Sequence, residues 1–410
     1  MDFSKNIARL QPSATIAVST LAKKLASEGR DIIDLSAGEP DFPTPTWIAD
    51  AGVTSIREGR TGYTPAPGLP ALRAAVAENL SAGAAPGWSL SSEGVVVTAG
   101  AKQALFNACF TLFGPGDEVL VASPYWTSYP QMVSLAQADP VPVAGPEDRD
   151  FRLGPEELEA ARTPRTRGLI ICSPSNPTGT VYSLEELRAV AGWAREHGVW
   201  LISDEIYRRI HFGTEEGSWA PGLLDLDPSE VGPFVLVDGV SKAYAMTGWR
   251  IGYTVSTPEV AKKFSALQSH TTSNAAAPSQ YAALRALSER ERADAEIREM
   301  VRIFRRRRDL VVRLCRERLP EFGVVEPGGA FYVFIRVDGD FRGEVNGSQA
   351  WCARVLEETG VALVPGVAFG DDRFVRLSYA TSDAKLEEAI RRLADARTGG
   401  REAARVEARG

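Results

Sequence analysis

Lys242 stands in the stretch Asp238-Gly-Val-Ser-Lys-Ala-Tyr-Ala-Met-Thr-Gly-Trp-Arg-Ile-Gly-Tyr253, between small residues and eight positions before Arg250. An apolar run, Phe234-Val-Leu-Val237, leads into it and reads as a buried strand. A lysine just past the C-terminal end of such a strand sits where open α/β sheets take their ligands. Desolvated there, it gives up its proton readily and attacks a carbonyl carbon to form a Schiff base. A solvated loop lysine is the plain alternative for any lysine taken alone. Its company must decide between the two.

Strand C-termini converge on one crevice, and other apolar runs also end in unusual polar motifs. After Val95-Val-Val-Thr98 comes Ala99-Gly-Ala-Lys-Gln103. Small residues opening a helix let backbone N–H groups close on an anion, which the helix dipole favours; a tight turn is the alternative. Lys102 opposes that dipole and needs an anionic partner. After Val119-Leu-Val-Ala122 comes Ser123-Pro-Tyr-Trp126, whose Trp126 is either core or a platform for a flat ring. After Leu169-Ile-Ile-Cys172 comes Ser173-Pro-Ser-Asn-Pro-Thr-Gly179, a rigid loop offering the Asn176 amide. After Val199-Trp-Leu-Ile-Ser203 comes Asp204-Glu-Ile-Tyr207. A carboxylate there is costly to bury without a cation, and a protonated pyridine nitrogen would serve. Helix capping by Asp204 is the alternative. Tyr207 follows at helical spacing and can bond a ring hydroxyl. Phosphate cup, stacking ring, pyridinium carboxylate, phenol and Schiff-base lysine together suit pyridoxal 5′-phosphate, and few other cofactors need them all.

The elements that must hold these groups alternate. Helical stretches, 102–113 and 184–197, separate several of the apolar runs, and Ile251-Gly-Tyr-Thr-Val255 adds another strand. That alternation predicts a mostly parallel, doubly wound sheet. From about Glu289 the pattern becomes a long charged helix, Ala330-Phe-Tyr-Val-Phe-Ile335, another helix, Val361-Ala-Leu-Val364, Phe374-Val-Arg-Leu-Ser378 and a closing helix. The expected division is an N-terminal arm and helix (1–44, the helix near 15–28) joining a small α+β domain (289–397), a large domain (45–288), and a frayed tail (398–410).

A chain of 410 residues with 44% apolar residues suits two globular domains. Its net charge of −7 argues against general nucleic-acid binding. Arg305-Arg306-Arg307-Arg308, the one dense basic cluster, reads as a solvated helix face. The scattered cysteines, Cys109, Cys172, Cys315 and Cys352, form neither a zinc pattern nor a disulfide framework, and Cys109 and Cys172 read as core thiols. Three histidines are too few for a histidine-rich metal site, so no metal is expected. No signal peptide and no bilayer-length apolar run is visible, which predicts a reduced, cytoplasmic setting. Nucleophile-elbow, dinucleotide and P-loop fingerprints are absent.

With these motifs in order, the chain closely resembles the class I, fold-type I pyridoxal-phosphate aminotransferases, and most of all the bacterial aspartate aminotransferase branch that includes prephenate aminotransferases. The resemblance runs from about Pro12 to Ala394 and rests on Pro12-Ser-Ala-Thr-Ile-Ala-Val18, Ala37-Gly-Glu-Pro-Asp-Phe42, Thr61-Gly-Tyr-Thr64, Gly100-Ala-Lys-Gln-Ala-Leu-Phe-Asn107, Pro124-Tyr-Trp126, Asn176-Pro-Thr-Gly179, Asp204-Glu-Ile-Tyr207, Ser241-Lys242, Gly248-Trp-Arg250 and Arg376-Leu-Ser378. Gln11 stands before Pro12 where relatives often carry lysine. The resemblance implies that Lys242 binds the cofactor and then shuttles a proton, and that Asp204 pairs with the ring nitrogen. It implies that Tyr207 and Asn176 bond the ring oxygen and Trp126 stacks. Gly100, Ala101, Ser241 and Arg250 would hold the phosphate, with Lys102 either near it or facing the distal carboxylate of an acidic substrate. Tyr63 would reach the phosphate of the partner subunit in a homodimer. Arg376 would clamp the substrate α-carboxylate, with the Gly38 backbone closing over it. A lyase or cyclase on the same fold is the competing chemistry. A regulator on this fold would need a DNA-binding domain, and the roughly forty residues before Gly38 resemble the family's own arm instead.

Overall fold

Runs rich in valine and isoleucine, apolar on both faces, belong in a sheet covered on both sides. The computed structural model describes residues 4–8, 10, 14–215 and 217–407. Its strands, in chain order, are β1 (Ile33–Asp34), β2 (Val95–Thr98), β3 (Glu118–Ser123), β4 (Asp139–Ala144), β5 (Thr166–Cys172), β6 (Trp200–Asp204), β7 (Phe234–Gly239), β8 (Gly252–Val255), β9 (Gly323–Val325), β10 (Tyr332–Arg336), β11 (Val361–Ala362), β12 (Val364–Pro365) and β13 (Phe374–Ser378). Seven of them form one sheet in the order β2-β8-β7-β6-β5-β3-β4. All pairings are parallel except those of β8, which runs against both β2 and β7. The strands expected around Lys242 are all present.

β4 is an addition. Asp139-Pro-Val-Pro-Val-Ala144 hides in sequence because Pro140 and Pro142 cannot donate to a ladder. It is tolerated because β4 is the sheet's edge, with one neighbour.

Register brings the motifs to one rim. Asp204 pairs with Cys172 on one side and Val237 on the other. Gly252 pairs with Thr98 and with Gly239. Because β8 is reversed, its start lies where β2 and β7 end. Gly100, Ser241 and Arg250 therefore emerge together.

A second sheet of four strands, β12-β13-β10-β9, is antiparallel, and β1 pairs with β11 in a separate two-stranded piece. The helix Ala14–Ser27 packs Ala22 with Val18 and Leu25 on Leu356 and Ala362. A 29-residue helix, Arg290–Arg318, runs between the two sheets' regions; Arg209 of the β6 side bonds Asp294 near its start.

Of the arginine tetrad on that helix, Arg306 is exposed as expected, but the other three depart from a solvated face. Arg307 is buried and forks onto Asp41, Arg305 bonds the Gly213 carbonyl, and Arg308 bonds the Pro327 carbonyl. Sequence spacing shows only that the residues are helical; the chain that folds back onto them is far away in sequence. The closing helix, Asp383–Glu407, also extends through most of the stretch expected to fray. Arg401-Glu-Ala-Ala-Arg-Val-Glu407 are good helix formers, and they continue the helix past Gly399-Gly400. Gln11, Pro12, Ser13 and residues 408–410 lie outside the described residues. All four cysteines are buried and unpaired. Among the described residues no helix is long and apolar enough to cross a membrane, and no cluster of histidine, cysteine and carboxylate groups could hold a metal.

Candidate active site

The rim of the large sheet opens into a cavity of about 550 Å³. Lys242, Asp204, Tyr207, Asn176, Trp126, Ala101, Lys102, Ser241, Arg250, Gly38 and Arg376 all line it. Two expected residues do not. Gly100 lies just behind the wall, and Tyr63 is 94% exposed, outside this chain's cavity.

Lys242 is half-buried in the turn after β7, and its Nζ donates to the Gly38 carbonyl at 2.6 Å. Burial pulls its pKa down to about 8; the Glu39 charge works the other way, and the Arg376 and Arg250 charges add to the lowering. A lysine so placed holds a usable neutral fraction near physiological pH, as a nucleophile must.

Asp204 ends β6 and is 3% exposed. Burial raises its pKa to about 6. The opposing bonds come from Tyr129 Oη to Oδ2 at 2.6 Å and Ile206 N to Oδ1 at 3.2 Å. No helix follows it, so it caps nothing: residues 206–210 are turns and a bend. Tyr207 is therefore placed by the turns rather than by helical spacing. Its hydroxyl lies 2.9 Å from that of Tyr332, and burial drives its pKa well up.

The anion cup is built on bare backbone. Gly100 (φ +83°) precedes the helix Ala101–Leu112. A Cβ on Gly100 would fall 2.5 Å from Arg250 Nη2, and one on Gly252 would fall 2.2 Å from Ala101 N. The Gly100 N–H is already given to the Thr98 carbonyl at 2.8 Å. Gly100 thus supplies room, and the donors left at the helix start are those of Ala101 and Lys102. Arg250 adopts a left-handed conformation (φ 58°) and donates to the Thr247 carbonyl at 2.8 Å. Trp126 is half-buried and meets Tyr129 edge-on at 5.4 Å. Lys102 lies at the mouth, its Nζ 4.9 Å from the Trp126 ring centre; partial burial first, and the Arg250 charge second, lower its pKa.

Across the cavity Arg376, 1% exposed, projects from β13. It donates to Asn176 Oδ1 at 2.9 Å and to the Ser36 carbonyl at 2.7 Å, and its guanidinium sits 4.4 Å from the Tyr332 ring centre. Both hydrogen-bond acceptors are neutral, and its Nε has no partner. Burial lowers its pKa, but an arginine remains charged. A buried cation left without a bonded anion calls for an anionic ligand.

Several lining residues escaped the sequence reading. Tyr129, Tyr332, Ser36 and Glu39 are among them, as are Ile16, Ser19, Thr20 and Lys23 from the N-terminal helix. The helical residues are spaced three and four apart, a stripe that was legible as a face but not as a wall of this cavity. Tyr129 lies three residues beyond Trp126, and nothing local marks it as a donor to Asp204.

The cradle that added Cβ atoms would fill, the orphaned Arg376 Nε and the buried Asp204 carboxyl fit pyridoxal 5′-phosphate with an amino-acid substrate. The family model "Aminotransferase class I and II" matches residues 30–393. An aspartate aminotransferase of Geobacillus stearothermophilus is 41% identical over 394 residues, covering 96% of this chain and 98% of that protein. An aspartate/prephenate aminotransferase of Cereibacter sphaeroides is 43% identical over 403 residues, covering 95% and 97%. Among solved structures, Thermus thermophilus aspartate aminotransferase with maleate superimposes with a TM-score of 0.89 at 39% identity, covering 96% of this chain and 99% of that one.

Proposed function

The chain belongs to the class I and II aminotransferases, and on that premise we propose that it moves the amino group of L-aspartate or L-glutamate onto 2-oxoglutarate or oxaloacetate. It is a fold-type I aminotransferase, and its cofactor is pyridoxal 5′-phosphate. When bound, the cofactor supplies an aldehyde carbon for a lysine to attack and a ring that takes up electrons as a substrate C–H bond breaks.

The carrying observation is that Lys242 and a buried, anion-free Arg376 face one cavity. That pairing suits an α-amino acid, with an amine for one end and a carboxylate for the other. In this reading Lys242 is the nucleophile and then the base that takes the proton from substrate Cα. Asp204, held by Tyr129, would keep the proton on the pyridine nitrogen. Tyr207 and Asn176 would hold the ring oxygen, and Trp126 would cover the ring. Ala101, Ser241 and Arg250 would hold the phosphate in the space Gly100 leaves, with the Lys102 backbone N–H as a further donor. Arg376 forks onto the α-carboxylate under the Gly38 backbone. The Lys102 ammonium, at the mouth, takes the distal carboxylate. The relatives named above are aminotransferases, which favours transamination over a lyase or cyclase outcome.

The active unit in this reading is a homodimer in which Tyr63 reaches the partner's phosphate site. Its near-complete exposure here supports that, as does the exposure of Val53, Ile56 and Phe110. The division into an arm (1–44), a large domain (45–288) and a small domain (289–397), a cytoplasmic location and the lack of a nucleic-acid partner belong to the same proposal. The net charge of −7 supports the last.

A half-reaction screen tests the substrate. Amino acids are added singly to holoenzyme, and conversion of the cofactor to its amine form is followed by absorbance. Aspartate or glutamate converts it fastest; conversion by neither overturns the acidic-donor assignment. Lys102→Ala loses acidic donors more than neutral ones, by a few-fold for a pair at the exposed mouth. Equal losses would move the Lys102 side chain to the phosphate.

A further inference from the structure

Residues 34–42 touch both working ends of the cavity while being mostly irregular chain. The Ser36 carbonyl accepts from Arg376 Nη2 at 2.7 Å. The Gly38 carbonyl accepts from Lys242 Nζ at 2.6 Å. Glu39 Oε2 accepts from Thr247 Oγ1 at 2.8 Å, beside Arg250. Coil keeps such contacts only if both its ends are fixed, because site groups need placement to about half an ångström.

The near end is fixed by β1 and by Asp34, whose Oδ1 accepts from Ser36 N at 2.9 Å and Ser36 Oγ at 2.6 Å. The far end is fixed by Arg307 of the helix Arg290–Arg318. Arg307 is 8% exposed and forks onto Asp41, Nη1 to Oδ1 at 2.7 Å and Nη2 to Oδ2 at 2.9 Å. Its Nε reaches Asp383 Oδ1 at 3.4 Å, and its guanidinium lies 5.6 Å from the Phe42 ring centre. Phe42 in turn packs edge-on against Phe304 of the same helix at 5.4 Å. Arg307 does not line the cavity.

We propose that Arg307 is a positioning residue for substrate binding: through Asp41 it fixes the Ser36 and Gly38 carbonyls, and so the aim of the Arg376 guanidinium. The inference rests on the aminotransferase reading of Arg376. A guanidinium is required because only its planar fork meets both Asp41 oxygens while its Nε serves Asp383; an ammonium is a point charge and cannot do both.

The test uses the holoenzyme with Arg307→Lys and Asp41→Asn. Maleate, a dicarboxylate with no amino group to react, is titrated through its effect on cofactor absorbance, beside KM and kcat for aspartate. The maleate dissociation constant and KM rise on the order of tenfold in both variants, while kcat falls less, because a displacement well under 1 Å weakens the carboxylate clamp first. The double variant loses no more than the worse single one. A lowered melting temperature with unchanged maleate affinity makes Arg307 merely structural and overturns the proposal. Should Arg307→Lys fail to fold, the near-isosteric Asp41→Asn carries the same test. Wild-type enzyme that neither binds maleate nor converts aspartate or glutamate sinks the functional reading, and this one with it. Wild-type binding with unaffected variants sinks this inference alone.

Discussion

The two cations that face each other across the cavity are made in opposite ways. Lys242 comes from the turn after a parallel strand, is half-buried, and has a pKa brought down to about 8. Arg376 comes from an antiparallel sheet, is wholly buried, and is held by Asn176, 200 residues away, and Ser36, 340 residues away. One is tuned to lose its proton and the other is of a type that cannot. The difference matches the tasks: a group that reacts must change charge state, and a group that aims must not.

The largest effect separates these roles outright. Lys242→Ala should lower turnover by about 10⁴-fold or more while cofactor and substrate still bind, since nucleophile and base go together. Retained turnover would break the contrast at its root, and borohydride reduction of wild-type holoenzyme should fix the cofactor to Lys242. Arg376→Lys keeps a charge but loses the fork. It should cost on the order of 10²-fold in kcat/KM for every amino donor, with the cofactor spectrum unchanged. A loss confined to acidic donors would instead put Arg376 at the distal carboxylate.

Tyr129→Phe sharpens the Lys242 side. It removes a 2.6 Å bond to Asp204, and hydrogen bonds to charged groups are worth about 1.5–3 kcal/mol, so kcat should fall roughly tenfold. Unchanged kcat would leave Tyr129 a packing residue. The smallest effect is on stability. Asp204 has a folded pKa of about 6, above its ordinary 3.8. The folded cofactor-free protein therefore binds more protons there than the unfolded chain. The stability Asp204 contributes is full below about pH 4 and lost as pH rises through 6. Melting temperatures of cofactor-free Asp204→Asn should lack that part of the wild-type slope; identical profiles would show that Asp204 titrates normally.

The same contrast governs what the sequence reveals. Lys242, Asp204, Asn176 and Trp126 were legible because each follows an apolar run, and parallel strands end at a common rim. Arg250, noted for its spacing from Lys242, was placed at the phosphate by resemblance, and the reversed strand that returns it to the rim was not legible. Arg376 was reached by resemblance rather than by periodicity, since a lone arginine in Phe374-Val-Arg-Leu-Ser378 carries no local sign that its neighbours are Ser36 and Tyr332. Arg307 was read as solvated for the same reason: Asp41 is 266 residues away. Gly100 was read as a donor, but its N–H turns back to the Thr98 carbonyl through a tight turn at Ala99 that sequence does not print. Local pattern captures what one strand and its exit decide. Packing between distant segments decides the rest.

The reversal of β8 has a consequence for how this protein can change. Residues 240–251 leave one strand and enter its neighbour, so the segment is a closed span anchored at both ends, and it carries Ser241, Lys242, Thr247 and Arg250 together. Adding or deleting one residue there cannot be absorbed by sliding a strand, because Gly239 and Gly252 are paired with each other. Such a span ties its own length to the placing of its lysine, which leaves the N-terminal helix and the loops around the mouth as the parts of the lining that can change shape without moving Lys242.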